Sequence, residues 1–303
     1  MEGVMNVSPL TLSGDSLNEV WSQLLSALYH QPEYESKPRG MLTRECLGVT
    51  LLINELRNNI LYHPIRNLNY KFQIAEFLWM AYGRNDLATL ARYNSQMARF
   101  SDDGLTLAGA YGPRLQPQWQ FLVDTLSRDH YSRQAVATIW TPNPTGSKDV
   151  PCTVALQFIA RLGMLNCIVT MRSSDVWLGL PYDAGTFGLL ANCLAGVLGL
   201  HTGFLQFNLG SSHLYETDFS KAEQVLACSD TYRGITSPAL PYFPPRCGLS
   251  TPIDLEDVLM SPKKYSKTGF MDHELPYPWS MYADVLNADN WNQAREILAG
   301  VND

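Results

Sequence analysis

The 303-residue sequence has no long uninterrupted apolar run, no Cys-x-x-Cys pair, no extended basic tract and no internal repeat. Each absence removes a class of protein. The longest apolar stretch, Leu189 to Leu200, is broken by Asn192 and two glycines and is too short to cross a bilayer. No basic-then-apolar leader opens the chain, and six scattered cysteines (Cys46, Cys152, Cys167, Cys193, Cys228, Cys247) suit buried thiols in a reduced cytoplasmic protein. No pair of metal-ligating residues has zinc-site spacing, so no metal is expected. Basic residues are few: the net charge is −7, and no basic run exceeds the pair Lys263 and Lys264. A duplex binder needs many phosphate-neutralising cations, so no nucleic-acid partner is expected. A small anionic ligand remains open, because a few converging arginines reverse the field locally.

What is present is a core. Apolar residues make up 46% of the chain against 17% charged, which excludes a disordered tail. Residues 16–30 read as an amphipathic helix with Ser16 and Glu19 in a capping-box pattern and Val20, Leu24, Leu25 and Leu28 on one face. A loop from Gln31 to Gly40 carries Lys37 and Arg39. Residues 70–82 and 85–96 read as two further helices around a Gly83-Arg84-Asn85 break. Gln134–Trp140, Thr153–Ala160, Leu165–Met171 and Gly203–Asn208 read as strands, with a buried helix over Ala184 to Leu200. Helices first, then strands around a central helix, predict an α+β domain with one large sheet. After Cys228 the Pro- and Tyr-rich clusters at 238–245 and 275–279 predict irregular structure, ending in a helix near Asn290 to Leu298.

A lone cysteine is ordinarily a small buried hydrophobe. Cys152, in Val-Pro-Cys-Thr, differs in its surroundings: Pro151 removes a backbone donor, and Arg172 follows where the next strand should end. An arginine beside a thiol favours the thiolate and makes a nucleophile.

The segment Arg172-Ser173-Ser174-Asp175-Val176-Trp177-Leu178-Gly179-Leu180-Pro181-Tyr182-Asp183 resembles the thymidylate synthase signature Arg-Ser-x-Asp followed by Leu-Gly-Leu-Pro-Phe-Asn. Gly210-Ser211-Ser212-His213-Leu214-Tyr215 is similar to the family's Gly-(Asp/Thr)-x-His-(Ile/Leu)-Tyr. Ile74-Ala75-Glu76-Phe77-Leu78-Trp79, Ala110-Tyr111-Gly112, Ser132-Arg133-Gln134 and Pro151-Cys152 match in the family's order over about residues 16–220. The resemblance implies a single thymidylate synthase-like α+β domain with a large mixed sheet packed with helices, dimeric through the sheet face. Residues 1–15 would be an extension and about 221–303 a divergent carboxy-terminal region.

It implies roles as well. Cys152 would add to C6 of a pyrimidine nucleoside monophosphate, making C5 nucleophilic toward the one-carbon unit of 5,10-methylenetetrahydrofolate. Glu76 would order the water that handles protons at the base, and Tyr111 would stand beside the nucleophile. Arg39, Arg172 and Ser173 would hold the phosphate, with Arg133 reaching the site of the neighbouring subunit of a homodimer. His213 and Tyr215 would bond the sugar. Asp175, Leu178, Gly179 and Tyr182 would line the folate pocket. Taken singly, Glu76 is equally an ordinary satisfied core acid and Arg39 a solvated loop charge.

The departures point to the substrate. Asp183 stands where the family has asparagine, whose carbonyl and NH2 match O4 and N3–H of uracil. An aspartate complements cytosine when one proton is shared between it and N3, and mismatches uracil at about 1–3 kcal/mol per unpaired buried group. In this the chain is similar to the deoxycytidylate and cytidylate 5-hydroxymethyltransferases, in which water captures the C5 methylene. Thr153 after the nucleophile, Gln134 in place of a second arginine, and a Leu298 to Asp303 segment unlike the family's short apolar terminus fit a more open site. A cytidylate methyltransferase or thymidylate synthase using hydride transfer stays open, as does a noncatalytic nucleotide- or RNA-binding homologue. The sugar is not specified, with dCMP favoured over CMP.

Overall fold

The structure is a computed structural model that describes residues 9–142, 146–238, 240, 255–260 and 278–300, with backbone alone at 255–257. Eight strands form one mixed sheet: β1 (Thr11–Gly14), β2 (Tyr34–Ser36), β3 (Thr43–Ile53), β4 (Val136–Thr138), β5 (Thr153–Arg161), β6 (Met164–Met171), β7 (Ser174–Asp175) and β8 (His201–Tyr215). The order is β1-β3-β8-β6-β5-β4, with β2 on β3 and β7 on β8. β8 runs parallel to β6 and antiparallel to β3, so it lies between the motif strands and the amino-terminal third of the chain.

The helix α1 (Leu17–His30) forms as its pattern predicts: Leu17, Val20, Trp21, Leu24, Leu25 and Leu28 are buried. Ser16 caps it by accepting from the Glu19 amide, and Glu19 closes the turn on the Asp15 amide. The helix α2 (Tyr70–Ala81) starts at Asn69, whose side chain accepts from Phe72 N at 3.0 Å, and it is buried nearly all round. It packs against α6 (Leu180–Leu198), which carries Pro181 in its first turn and is capped by Gly199 in the left-handed region. Close approach of α2 and its preceding loop requires glycine on α6. A Cβ at Gly185 would lie 2.5 Å from the Gln73 carboxamide carbon, and one at Gly188 would overlap the Asn59 side chain. One sheet face is covered by these helices, while the alternate residues Gln157, Ile159, Ile168, Phe204, Gln206 and Asn208 keep partial exposure on the other.

Several elements differ from the sequence reading. Residues 85–96 form only α3 (Leu87–Ala91), followed by a 3-10 turn over Ser95–Arg99, because Asn94 turns its side chain onto the Gln96 amide and caps a new start. Two helices of this half, α4 (Gly112–Leu115) and α5 (Trp119–Arg128), precede β4. Thr11–Gly14 of the expected amino-terminal extension pair with β3 as β1. After α7 (Phe219–Leu226), α8 (Leu255–Met260) and α9 (Trp279–Asn287) are helical where irregular structure was expected, and α10 (Trp291–Ala299) is the helix expected near Asn290 to Leu298. α9 buries Trp279, Met281, Tyr282, Val285 and Leu286, a helical period that the neighbouring prolines obscured. Residues 239, 241–245 and 275–277 of the Pro- and Tyr-rich clusters, Cys247 and the last three residues lie outside the described residues.

Candidate active site

Cys152 sits at the mouth of β5, where Arg172 grips the turn that carries it. Arg172 Nε donates to the Pro151 carbonyl at 2.9 Å and Nη2 to the Val150 carbonyl at 3.1 Å, with Nη2 3.7 Å from the Cys152 sulfur. The Arg172 amide donates to the Cys152 carbonyl at 2.9 Å, so backbone and side chain together fix sulfur against guanidinium. Burial pushes the thiol pKa up, Arg172 draws it down, and Asp183, Asp149 and Asp175 push it up again. The resting group is therefore a protonated thiol with Arg172 as its close cation among the described residues.

Tyr111 heads α4 and accepts from the Thr153 amide at 3.3 Å, with its ring stacked 6.1 Å from Phe187 of α6. Burial and the nearby Asp183 and Cys152 charges keep the phenol protonated. Glu76 on α2 is pushed up to about 8 by burial and by the Asp183 charge, with a Thr186 hydrogen bond opposing. Asp183, in the first turn of α6, is raised to about 7 by burial and by Asp175. These are two carboxyl groups poised to hold a proton near neutrality. Gln73 Nε2 donates to the Thr186 hydroxyl at 3.0 Å, which leaves that hydroxyl's proton for Glu76.

Near the end of β8, Arg39 occupies a left-handed backbone position (φ 55°) and reaches Tyr215 Oη with Nη2 at 3.3 Å. Ser173 Oγ lies 3.5 Å from His213 Nδ1, and the His213 and Tyr215 rings meet edge-on at 4.9 Å. Burial pulls His213 down to about 4, opposed next by the Glu45 charge and assisted by the weaker influences of Arg39 and Arg172. His213 is neutral at neutral pH and offers hydrogen bonds, while Arg39 and Arg172 supply the positive charge. The structure thus gathers Arg39, Ser173, His213 and Tyr215 into one group and Cys152, Tyr111, Glu76 and Asp183 into another, with Arg172 acting on both Cys152 and His213. Arg133 stands apart: its side chain is exposed and, among the described residues, makes no hydrogen bond or ion pair with these groups.

Asp175 accepts from the amides of Trp177 (2.8 Å) and Leu178 (3.0 Å), and burial still raises it to about 6. Gly179 follows in the same turn, its amide on the Asp175 carbonyl, and Leu178 leaves 50% of its surface exposed. Tyr182 Oη accepts from the Asn69 amide at 3.0 Å. Between them is Arg66, which the sequence reading missed. It is 8% exposed, donates Nε to the Trp177 carbonyl at 2.7 Å, and lies 5.6 Å and 5.7 Å from the Trp177 and Tyr182 ring centres. Its Nη2 is buried with no hydrogen-bond partner among the described residues. Aromatic walls, an exposed leucine and an unpaired guanidinium donor fit a flat, carbonyl-bearing heteroaromatic group such as a pterin. Nothing in the sequence marks Arg66, an isolated arginine in Ile-Arg-Asn-Leu. Among the described residues, no cluster of three or more His, Cys, Asp or Glu side chains could hold a metal, and no helix is long and apolar enough to cross a membrane.

The sequence pattern of the family described as thymidylate synthase matches residues 19–234. A protein of Bacillus phage SP01 named deoxyuridylate hydroxymethyltransferase is 30% identical over 231 residues, which is 69% of this chain and 60% of that protein. One of Pseudomonas phage M6 with the same name is 32% identical over 183 residues, 57% of this chain and 52% of that protein. The chain thus spans between half and three fifths of the length of these relatives.

Proposed function

This chain belongs to the thymidylate synthase family, and we propose that within it the chain is a 5-hydroxymethyltransferase for a cytidine monophosphate, dCMP in preference to CMP. Asp183 carries the reading: a half-buried carboxyl raised to about 7 stands where the family signature has asparagine. At that pKa it shares one proton with cytosine N3, either as the neutral acid or as carboxylate against the protonated ring. Uracil brings its own N3–H and needs an acceptor there and a donor at O4.

In this reading the phosphate lies against Arg39, Arg172 and Ser173, and the sugar against His213 and Tyr215. Cys152 loses its proton as Arg172 compensates the charge, and its sulfur adds to C6. The electron pair released to C5 forms the new carbon–carbon bond. Bound in the pocket of Asp175, Leu178, Gly179, Tyr182 and Arg66, 5,10-methylenetetrahydrofolate supplies that one-carbon unit. Loss of the C5 proton to the water held by Glu76, with cleavage of the bond from the one-carbon unit to the folate nitrogen, releases tetrahydrofolate and leaves an exocyclic methylene on the base. Water adds to this carbon, and the sulfur departs from C6. Arg133 completes the phosphate site of a second subunit, the two packing through the half-exposed sheet face.

The names of the two phage relatives favour water as the final reactant, and they also favour a second reading, deoxyuridylate as the substrate. Asp183 supports the cytidine reading over the second. The test of the chemistry is product mass with the absorbance of dihydrofolate followed in parallel. A hydroxymethylated nucleotide without dihydrofolate is expected; a methylated product with dihydrofolate would exclude water as the acceptor.

A further inference from the structure

Asp149 has no place in the chemistry above, yet it ties together the two turns that meet at the sulfur. Its Oδ2 accepts from the Gly109 amide at 2.7 Å, across forty residues of chain. Gly109 is shaped for this: a Cβ there would lie 2.5 Å from the Asp149 carbonyl oxygen and 2.8 Å from its carboxyl carbon. On either side of Gly109, Arg114 of α4 donates Nη2 to the Ala108 carbonyl (2.9 Å) and Nη1 to the Ala110 carbonyl (2.8 Å). Both carbonyls and the amide between them are thus held by charged side chains, and the next residue is Tyr111. Downstream of the sulfur, Tyr111 Oη accepts from the Thr153 amide, so the two turns are joined both before and after Cys152.

We propose that Asp149 is a positioning residue for the nucleophile: its carboxylate latches the turn ahead of Cys152 to the Gly109–Tyr111 turn and sets where the sulfur stands relative to Tyr111. This rests on the reading of Cys152 as the nucleophile. The charged groups that face Asp149 are Arg114 from α4 and Asp102 from the loop before Gly109, with the Cys152 thiol close by in its own turn. The latch has a cost. A carboxylate beside a thiol opposes the thiolate, so the same residue that holds the sulfur in place makes it harder to ionise. An asparagine would keep the acceptor and remove the charge.

Wild type, Asp149→Ala, Asp149→Asn and Gly109→Ala test this through kcat, nucleotide KM and the pH dependence of Cys152 alkylation by iodoacetamide. Asp149→Ala and Gly109→Ala should lower kcat roughly tenfold or more, with nucleotide KM little changed, because the sulfur is misplaced rather than the phosphate site. Asp149→Asn should recover most of kcat and move the alkylation profile to lower pH. Wild-type kcat in Asp149→Ala, or equal loss in the Asn and Ala variants, would overturn the latch. Should wild type turn over no pyrimidine nucleotide, the proposed function fails separately. The alkylation profiles still judge Asp149, since identical profiles in all four proteins contradict the inference.

Discussion

The carboxyl of Asp183, in the first turn of α6, lies close enough to Glu76 on α2 for its charge to raise the Glu76 pKa. Two acids enclosed together, raised to about 7 and about 8, are held in the fold at some expense of stability, which points to a task for the proton they retain.

The first prediction concerns pH and the base. One proton must be present in the Asp183–cytosine pair, whichever partner carries it. As pH rises through about 7 the free protein loses that proton, so dCMP binding should weaken above neutrality, by at most about tenfold per pH unit. Asp183→Asn should abolish this limb and invert the preference toward dUMP, by about 1–3 kcal/mol per mismatched group. Isothermal titration over pH 6 to about 9 reads both effects.

Stability should run the same way. The folded pKa values of Glu76 and Asp183 lie above their ordinary values of 4.5 and 3.8, so the folded state binds more protons than the unfolded one between about 4 and 8. Stability from this pair is therefore fully present below about pH 4 and is lost as pH rises through 7 to 8. Glu76→Gln should flatten the fall while removing turnover. Denaturant midpoints at pH 6 and about 8.5 measure it.

The α2–α6 contact should tolerate no side chain at its glycines. Gly188→Ala pushes a methyl into Asn59, and Gly185→Ala pushes one into Gln73, which also orients Thr186 toward Glu76. Each should cost about 1–3 kcal/mol in urea unfolding. Only Gly185→Ala should also alter the pH dependence of turnover.

If Arg133 serves the neighbouring subunit, Arg133→Ala and Cys152→Ala should complement one another. Each homodimer should be impaired, and mixing with subunit exchange should restore up to about a quarter of wild-type activity, since heterodimers carry one intact site. No recovery in demonstrably mixed dimers would place Arg133 outside the site.

What could be read from sequence follows from how locally each feature is written. α1, α2, β5 and β6 carry their period in consecutive residues. β3 does not: Arg44, Glu45 and Gly48 dilute its alternation. Their partners, the Tyr29 and Phe219 rings over Arg44 and the Ser211 hydroxyl on Glu45, come from distant segments. β8 was legible only at Gly203–Asn208, because its polar second half, Gly210 to Tyr215, reads as a site motif and not as a strand. In the site, the residues inside ordered motifs were legible. Arg66 and Asp149 were not, since the unpaired donor of one and the Gly109 contact of the other exist only after folding.

The most direct measurement supplies dCMP, CMP and dUMP side by side with 5,10-methylenetetrahydrofolate to the purified protein and identifies each product by mass. The account predicts 5-hydroxymethyl-dCMP as the main product, with dUMP turned over at least tenfold more slowly, about the value of one mismatched buried group. Preferential turnover of dUMP by the wild-type protein would contradict it.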